Sequence, residues 1–200
     1  MPLSSPPSPP RPDRAARTRA ALLEAASTLF VSRGYEETTM ADIAAEAGAS
    51  RRTVFNYFPT KGDIPMLWVR QMADRAIEDA MGEAAPSDLV VAVRAYFRSI
   101  SEAVESTPEL SRQMMLGWTA ALGPTRYESQ LLADVTPYVE AARDRGQVDP
   151  TVDVADVARA LSDVLQGAVF RWVREPETVL HERVDAAVTL VLRGITVAVD

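Results

Sequence analysis

The residues best suited to contacting a partner are concentrated in residues 50–61, SRRTVFNYFPTK. Ser50 is a favourable helix N-cap, and Pro59 predicts that a short helix ends near Phe58. In such a helix Val54 and Phe58 can turn inward together, because they are four residues apart. The residues left on the outward side are Arg51, Arg52, Phe55 and Asn56. Solubility alone could account for the arginines, and core packing for Phe55.

Arginine at a helix N-terminus opposes the helix dipole, so Arg51 and Arg52 do not serve helix stability. An arginine can instead contact a guanine edge, and an exposed Phe55 can pack on a thymine methyl group. Hydroxyl groups and a lysine suit phosphate oxygens. The residues of this second kind are Thr39, Thr53, Tyr57 and Lys61, the last being the only lysine of the chain. The pattern favours a DNA-binding surface, with core packing of Tyr57 as the alternative.

Most other chemistry is disfavoured by composition. The chain has no cysteine and one histidine, His181, so a thiolate metal site, a disulfide and a cysteine nucleophile are excluded. We find no convergent nucleophile, base or metal ligands, and expect no catalytic residue, metal or cofactor. His181, in VLHERVD, is expected to be a solvated helix residue. A small helical enzyme and a helical protein-interaction module remain the alternatives to a DNA-binding protein.

Charge is distributed unevenly along the chain. The net charge of -7 divides into +2 for residues 1–75 and -9 for residues 76–200. This asymmetry permits a nucleic-acid-binding head on an acidic body, although solvated helix faces would give the same pattern. No apolar run approaches the roughly 20 residues that span a bilayer. We therefore expect a soluble cytoplasmic protein that makes no membrane contact.

The chain is predicted to have three parts. Residues 1–13 hold six of the fourteen prolines and are expected to be a flexible tail. Residues 14–61 are predicted to be a DNA-binding domain, and residues 62–200 a helical regulatory and dimerisation domain. Almost every segment has helical spacing, so the predicted fold class is all-α.

A helix-turn-helix is predicted within the first domain. Apolar residues at three- and four-residue spacing predict a first helix that ends at Gly34, where a left-handed conformation closes it. Thr39 and Asp42 form a short capping box for a second helix, and Gly48 makes the turn into the third. Beyond this domain, helices are predicted at about 62–83, 87–106, 108–121, 125–145, 152–173 and 178–197. Pro137 should kink or divide the fourth of these.

Residues from about 14 to 67 resemble the N-terminal domain of the TetR (tetracycline repressor-like) transcriptional regulators. The resemblance lies in LFVSRGYEETT, DIAAEAGAS, VFNYF and the lysine three residues later, in this order and spacing. It implies that residues 51–57 are the recognition helix in the major groove. It also implies that Arg51, Arg52, Phe55 and Asn56 read bases, while Thr39, Thr53, Tyr57 and Lys61 contact phosphates.

The resemblance further implies a homodimer through the last two helices, about 152–173 and 178–197, and a pocket for a small molecule. Both helical segments are apolar on more than one face, which is consistent with a dimer and also with a monomer core. Flexible methionines and aromatic residues suit an apolar pocket, although each suits core packing as well. The candidates are Trp68, Met72, Phe97, Met114, Met115, Trp118 and Phe170.

The sequence thus predicts a ligand-responsive transcriptional regulator, most simply a repressor. It would bind a palindromic double-stranded DNA operator as a homodimer. A small apolar or amphipathic effector would release it.

Overall fold

The computed structural model describes residues 14–81, 88–121, 125–175 and 179–196, and these form nine α-helices. The all-α prediction is confirmed. The chain divides into two compact units, Met1–Thr60 and Lys61–Asp200. The helices are α1 (Arg14–Arg33), α2 (Met40–Glu46), α3 (Arg51–Tyr57), α4 (Asp63–Met81), α5 (Leu89–Ser106), α6 (Pro108–Ala121), α7 (Thr125–Asp144), α8 (Val154–Arg174) and α9 (Leu180–Arg193). The predicted tail, residues 1–13, lies outside the described residues.

The core of the first unit is built around α1. Leu22 and Phe30 are completely buried on one face of this helix, together with Ala26. Phe30 also contacts Tyr35 edge-to-face, with ring centroids 5.0 Å apart. The helix ends as predicted at Gly34, whose φ of 92° is in the left-handed region. The core therefore depends on a few large apolar side chains.

Two short helices pack together in the same unit. The turn between α2 and α3 is closed by backbone bonds from Gly48 N to Ala45 O, at 3.1 Å, and from Ala49 N to Ala44 O, at 2.8 Å. Gly48 has a φ of 60°, a conformation that costs little without a Cβ. Ile43 of α2 and Val54 of α3 are both completely buried. These contacts set α3 at a defined angle to α2, as a helix-turn-helix requires.

In the second unit, α5 packs against α4 and α9, and α8 packs against α7 and α9. Its apolar core runs through these helices and includes Phe97, Leu161 and Leu192, all fully buried. Arg94 of α5 joins α9 by two bonds to Asp185, of 2.7 and 2.6 Å. This bidentate pair holds the pKa of Asp185 below its usual value, because the Arg94 guanidinium donates to the charged carboxylate.

Pro137 lies inside α7, which continues from Thr125 to Asp144, so of the two predicted effects, a kink or a division, the division does not occur. Two other details differ from the sequence-based expectations. α9 ends at Arg193 rather than near 197, because Gly194 caps it and Thr196 pairs with Val148 in an isolated bridge. His181 is only partly solvated: its Nδ1 lies 2.7 Å from a Glu105 oxygen, and the side chain is 28% exposed.

Glu105 also accepts a bond from the backbone N–H of Leu180. The N-cap of α9, Val179, makes no side-chain cap of its own. A carboxylate from α5 thus caps α9 from a distant part of the chain. Within the described part of the protein, no helix combines the length and apolar character that crossing a bilayer requires.

Candidate nucleic-acid interface and apolar cavity

The position of α3 is fixed by bonds at both of its ends. Ser50 caps the helix by accepting from Thr53 N at 3.1 Å, and Phe58 N donates to Val54 O at 2.8 Å. Val54 and Phe58 are 0% and 2% exposed, so they turn inward as predicted. One side of a seven-residue helix is thereby fixed to the core, and its other side faces outward.

The outward side contains all four of the candidate base-reading residues. Arg51, Arg52 and Asn56 are exposed. Phe55 is 50% exposed, although burying a large apolar ring would be favourable in a protein with no partner at this surface. The surface therefore combines two cations, a carboxamide and an apolar ring, which can hydrogen-bond base edges and pack on a thymine methyl group.

Thr39 and Asp42 form the predicted capping box at the start of α2. Thr39 N donates to Asp42 Oδ2 at 2.9 Å, and Asp42 N donates to Thr39 Oγ1 at 3.2 Å. The Thr39 hydroxyl also donates to Asp42 Oδ2 at 2.6 Å. This bond is the largest cause that lowers the pKa of Asp42 from its usual value, and Arg33 and Arg51 contribute by charge. A phosphate oxygen must compete with Asp42 for the Thr39 proton.

The other two hydroxyl candidates on α3 are half-buried. Thr53 Oγ1 lies 2.8 Å from Ser50 Oγ, so the two hydroxyls share a hydrogen bond. The Arg19 guanidinium lies over the ring of Tyr57, 5.9 Å from its centroid. This distance is within the range of a cation–π interaction, which joins α1 to the end of α3.

Lys61, the remaining phosphate candidate, is the first residue of the second unit. It is half-buried and lies in the turn before α4, where its carbonyl accepts from Ile64 N at 3.3 Å.

An open groove of about 630 Å³ lies between the start of α1 and the α2–α3 turn. Arg14 and Arg17 line one side of it, and Ser50 and Thr53 line the other. Arg17 was not among the residues predicted from the sequence to contact DNA. Its spacing from Arg14 was a usable signal, because residues three apart share a helix face.

The second unit contains a small apolar cavity of about 20 Å³ between α4, α5, α6 and α8. That volume holds about one water molecule, so a larger ligand requires the side chains to move. Trp118 and Phe170 stack across it with centroids 5.7 Å apart. The lining residues are Val69, Met72, Ile100, Val104, Met115, Trp118, Leu165, Gln166, Val169 and Phe170.

Four of the seven predicted ligand residues line this cavity: Met72, Met115, Trp118 and Phe170. Trp68 lines a neighbouring open groove, which also includes Met72. Phe97 and Met114 are 0% exposed, and neither is among the residues that line the cavity. The sequence-based candidates did not include Gln166, a polar lining residue, or the aliphatic lining residues. No local signal distinguishes such aliphatic residues from ordinary core positions.

No group of three or more metal-ligating side chains converges anywhere in the described ranges.

The arrangement at α2 and α3 is that of a helix-turn-helix protein, with an exposed cationic and aromatic face on the second helix. The comparisons with known proteins refine this class. Residues 22–64 match the family described as "Bacterial regulatory proteins, tetR family".

Similarity to known regulators extends over most of the chain. The chain is 28% identical to the HTH-type transcriptional regulator EthR of Mycolicibacterium smegmatis, over 76% of each protein. It is 26% identical to TtgR of Pseudomonas putida, over 84% of this chain and 85% of TtgR. The solved structure of Thermus thermophilus FadR, a TetR-family repressor in complex with lauroyl-CoA, matches with a TM-score of 0.72. That match has 25% identity and covers 91% of this chain and 97% of FadR.

Residues 22–64 thus match the DNA-binding domain of the TetR family, and most of the chain is similar to regulators of that family. Members of this family are transcriptional regulators and not enzymes.

Proposed function

We propose that this protein is a transcriptional repressor that binds a palindromic DNA operator as a homodimer and leaves it when a small effector binds. The observation that carries this proposal is the two-sided character of α3. Val54 is completely buried, whereas the next residue, Phe55, is 50% exposed. Arg51 and Arg52 of the same helix are exposed as well. A partner that offers both hydrogen-bond acceptors and apolar methyl groups explains this surface, and the major groove of DNA offers both.

The residues divide into two roles. Arg51, Arg52, Phe55 and Asn56 read base edges from α3. Thr39, Thr53, Tyr57 and Lys61 contact phosphates and fix the register of the helix on the duplex. Base contacts determine which sequence is bound, whereas phosphate contacts act on every sequence alike. The regulator therefore acts wherever the DNA of the cell is, which for a bacterial family is the cytoplasm.

Dimerisation is proposed through the outer faces of α8 and α9. Leu190 of α9 is 71% exposed, the highest value among the exposed large apolar residues of the described chain. Gly167 of α8 is exposed, and a Cβ built there would meet no atom within 4 Å. A partner's side chains can approach the backbone closely at Gly167, because it has no Cβ. Two copies would place two recognition helices at half-sites about 34 to 36 Å apart.

Effector release is proposed to act through α4. This helix supplies Val69 and Met72 to the apolar cavity, and it begins at Asp63, three residues beyond the first unit. A ligand that enlarges the cavity must displace α4 or the side chains on it. Such a ligand favours the conformation with low DNA affinity, and by linkage DNA disfavours the ligand by the same free energy. Lauroyl-CoA in the FadR structure supports a ligand-responsive regulator.

Selection of bound duplexes from a random DNA pool tests this proposal. We expect the full-length chain to enrich one sequence composed of two inverted half-sites, bound by two chains. Recovery of no common sequence, or of a single half-site bound by one chain, would contradict the proposal. The enriched duplex then serves for every measurement of affinity and effector release below.

A further inference from the structure

The apolar cavity and the open groove beside it share one side chain, Met72. On α4, Trp68 lines the groove and the adjacent Val69 lines the cavity. On α5, Ala103 lines the groove and the adjacent Val104 lines the cavity. The same two helices thus form parts of both walls, with Met72 at the junction. A single molecule would therefore have to displace the Met72 side chain to occupy both spaces.

The cavity favours an apolar group. None of its lining residues is charged, and the polar side-chain groups of its lining are the amide of Gln166, which donates from Nε2 to Ser162 Oγ at 3.1 Å, and the indole N–H of Trp118. A charged group placed here would lose its hydration without gaining an oppositely charged partner, which is strongly unfavourable. The volume of about 20 Å³ must increase on binding, and the unbranched side chains of Met72 and Met115 can rotate to allow it.

The groove has a mixed lining that includes charged residues. Its volume is about 540 Å³, and it is lined by polar side chains as well as Trp68. Its charged residues are two carboxylates, Asp79 and Glu102, and one guanidinium, Arg75. Asp79 accepts a bond of 3.0 Å from the hydroxyl of Ser99. The aromatic face and the excess of carboxylates both favour a cationic group over an anionic one.

The charge of the surrounding unit acts in the same direction. Residues 61–200, which form the second unit, hold 14 Lys+Arg and 22 Asp+Glu, and the resulting net charge of -8 repels anions that approach this part of the chain. Salt screens the contribution of distant charges, so the groove carboxylates provide the larger selection. A highly anionic polar end, such as that of a CoA thioester, is therefore disfavoured.

We propose that the effector is an amphiphile whose apolar part enters the cavity past Met72 and whose uncharged or cationic polar end stays in the groove. This inference rests on the proposed function, because it specifies the ligand class for the proposed effector site. The cavity selects for an apolar chain, and the groove selects against negative charge.

Three probes with the same decyl chain test the charge selection: decanol, decyltrimethylammonium and decyl sulfate. Each is titrated calorimetrically into the full-length protein, below the concentration at which the probe aggregates. We expect saturable binding of decanol and decyltrimethylammonium, with decyl sulfate at least tenfold weaker. Binding of decyl sulfate as tight as that of decyltrimethylammonium overturns the proposal, and so does the absence of saturable binding for all three.

Variants distinguish this site from general adsorption of amphiphiles. Both carboxylates are replaced in the double variant Asp79→Asn with Glu102→Gln. We expect the ratio of the dissociation constant of decyl sulfate to that of decyltrimethylammonium to fall at least tenfold in this variant. Glu140→Gln is the matched control, because Glu140 lies in a different groove, between α7 and the start of α8. An equal effect of this control contradicts the assignment of the polar end to the Asp79 groove.

Met72→Trp fills the junction and is expected to weaken decanol binding at least tenfold. Its melting temperature and its affinity for the selected duplex report whether it folds. If the protein binds the selected duplex but none of the decyl probes, the effector class is wrong and the DNA-binding function stands. If it binds no duplex selectively, the proposed function itself fails.

Discussion

The two candidate sites of this protein are held in different ways. The side chains of α3 are positioned by bonds within a few residues, such as Ser50 to Thr53 and Phe58 to Val54. The cavity is assembled from α4, α5, α6 and α8, so Val69 and Phe170 line it although a hundred residues separate them. One site depends on local capping, and the other on packing over long distances in the chain.

This difference is related to what each site must do. A surface that reads DNA must present its side chains in a fixed geometry, and short-range caps supply that geometry at low entropic cost. A cavity that responds to a ligand must be able to change shape, which packing between separate helices allows. Four predictions use this contrast, in order of decreasing effect.

The largest effect is expected for Phe30→Ala in the first unit. Phe30 is completely buried and contacts Tyr35, so its truncation should reduce the free energy of unfolding by about 3–5 kcal/mol. Hydrogen exchange measured along the chain should accelerate in α1 to α3, while α5 and α8 stay protected. Leu161→Ala is the matched control in the second unit, with the opposite pattern. Equal acceleration in both units would show that they do not unfold separately.

Leu190→Arg should weaken the dimer without unfolding the chain. A buried, unpaired cation in a self-complementary interface is unfavourable on both copies. We expect the dimer dissociation constant to increase at least tenfold, or about 1.4 kcal/mol, in sedimentation equilibrium. Leu116→Arg, at a 46% exposed position on α6, is the control and should leave the dimer intact. If Leu116→Arg weakens the dimer and Leu190→Arg does not, the interface lies elsewhere than on α9.

Thr39→Ala should produce a smaller, local effect. It removes the cap of α2, which typically costs about 0.5–2 kcal/mol. Thr39→Ser, which keeps the hydroxyl, should recover most of the loss in a urea denaturation measurement. If alanine and serine behave alike, the capping box does not contribute to stability.

The smallest effect on stability is expected from lowering the pH. The pKa values of Asp42 and Asp185 are both lowered, by the Thr39 hydrogen bond in one unit and by Arg94 in the other. Each carboxylate therefore contributes stability that is fully present above the unfolded pKa of about 3.9, and that is lost as pH falls through the lowered folded value. Asp185→Asn should reduce this acid sensitivity in the second unit, and Asp42→Asn in the first. Hydrogen exchange measured along the chain at pH 3 to 6 reports the acid sensitivity of each unit separately. If either variant changed the acid sensitivity of the other unit, the two carboxylates would not act independently.

Much of the first unit could be predicted from the sequence because its signals are local. The Thr39 and Asp42 capping box, the left-handed Gly34 and the inward Val54 all follow from residues within four positions of each other. The same reasoning predicted which α3 side chains face outward. DNA binding by these individual residues stays a prediction.

The second unit shows where this kind of reasoning fails. His181 was expected to be solvated, but it pairs with Glu105, a residue 76 positions earlier. Phe97 and Met114 are completely buried but do not line the cavity, and their contact with a ligand stays a prediction. The aliphatic lining residues resemble any other core positions. Pairings over such distances are set by the packing of whole helices, which residue spacing within one helix does not encode.

The most direct test of the account measures affinity for the selected duplex and for a scrambled duplex over a range of salt concentrations. Arg51→Ala and Arg52→Ala should each lose about 1–3 kcal/mol on the selected duplex and reduce its advantage over the scrambled one. Lys61→Ala should weaken both duplexes alike and reduce the salt slope by about one unit. If the double variant Arg51→Ala with Arg52→Ala binds the selected duplex as tightly and as selectively as the unmodified protein, α3 does not read DNA.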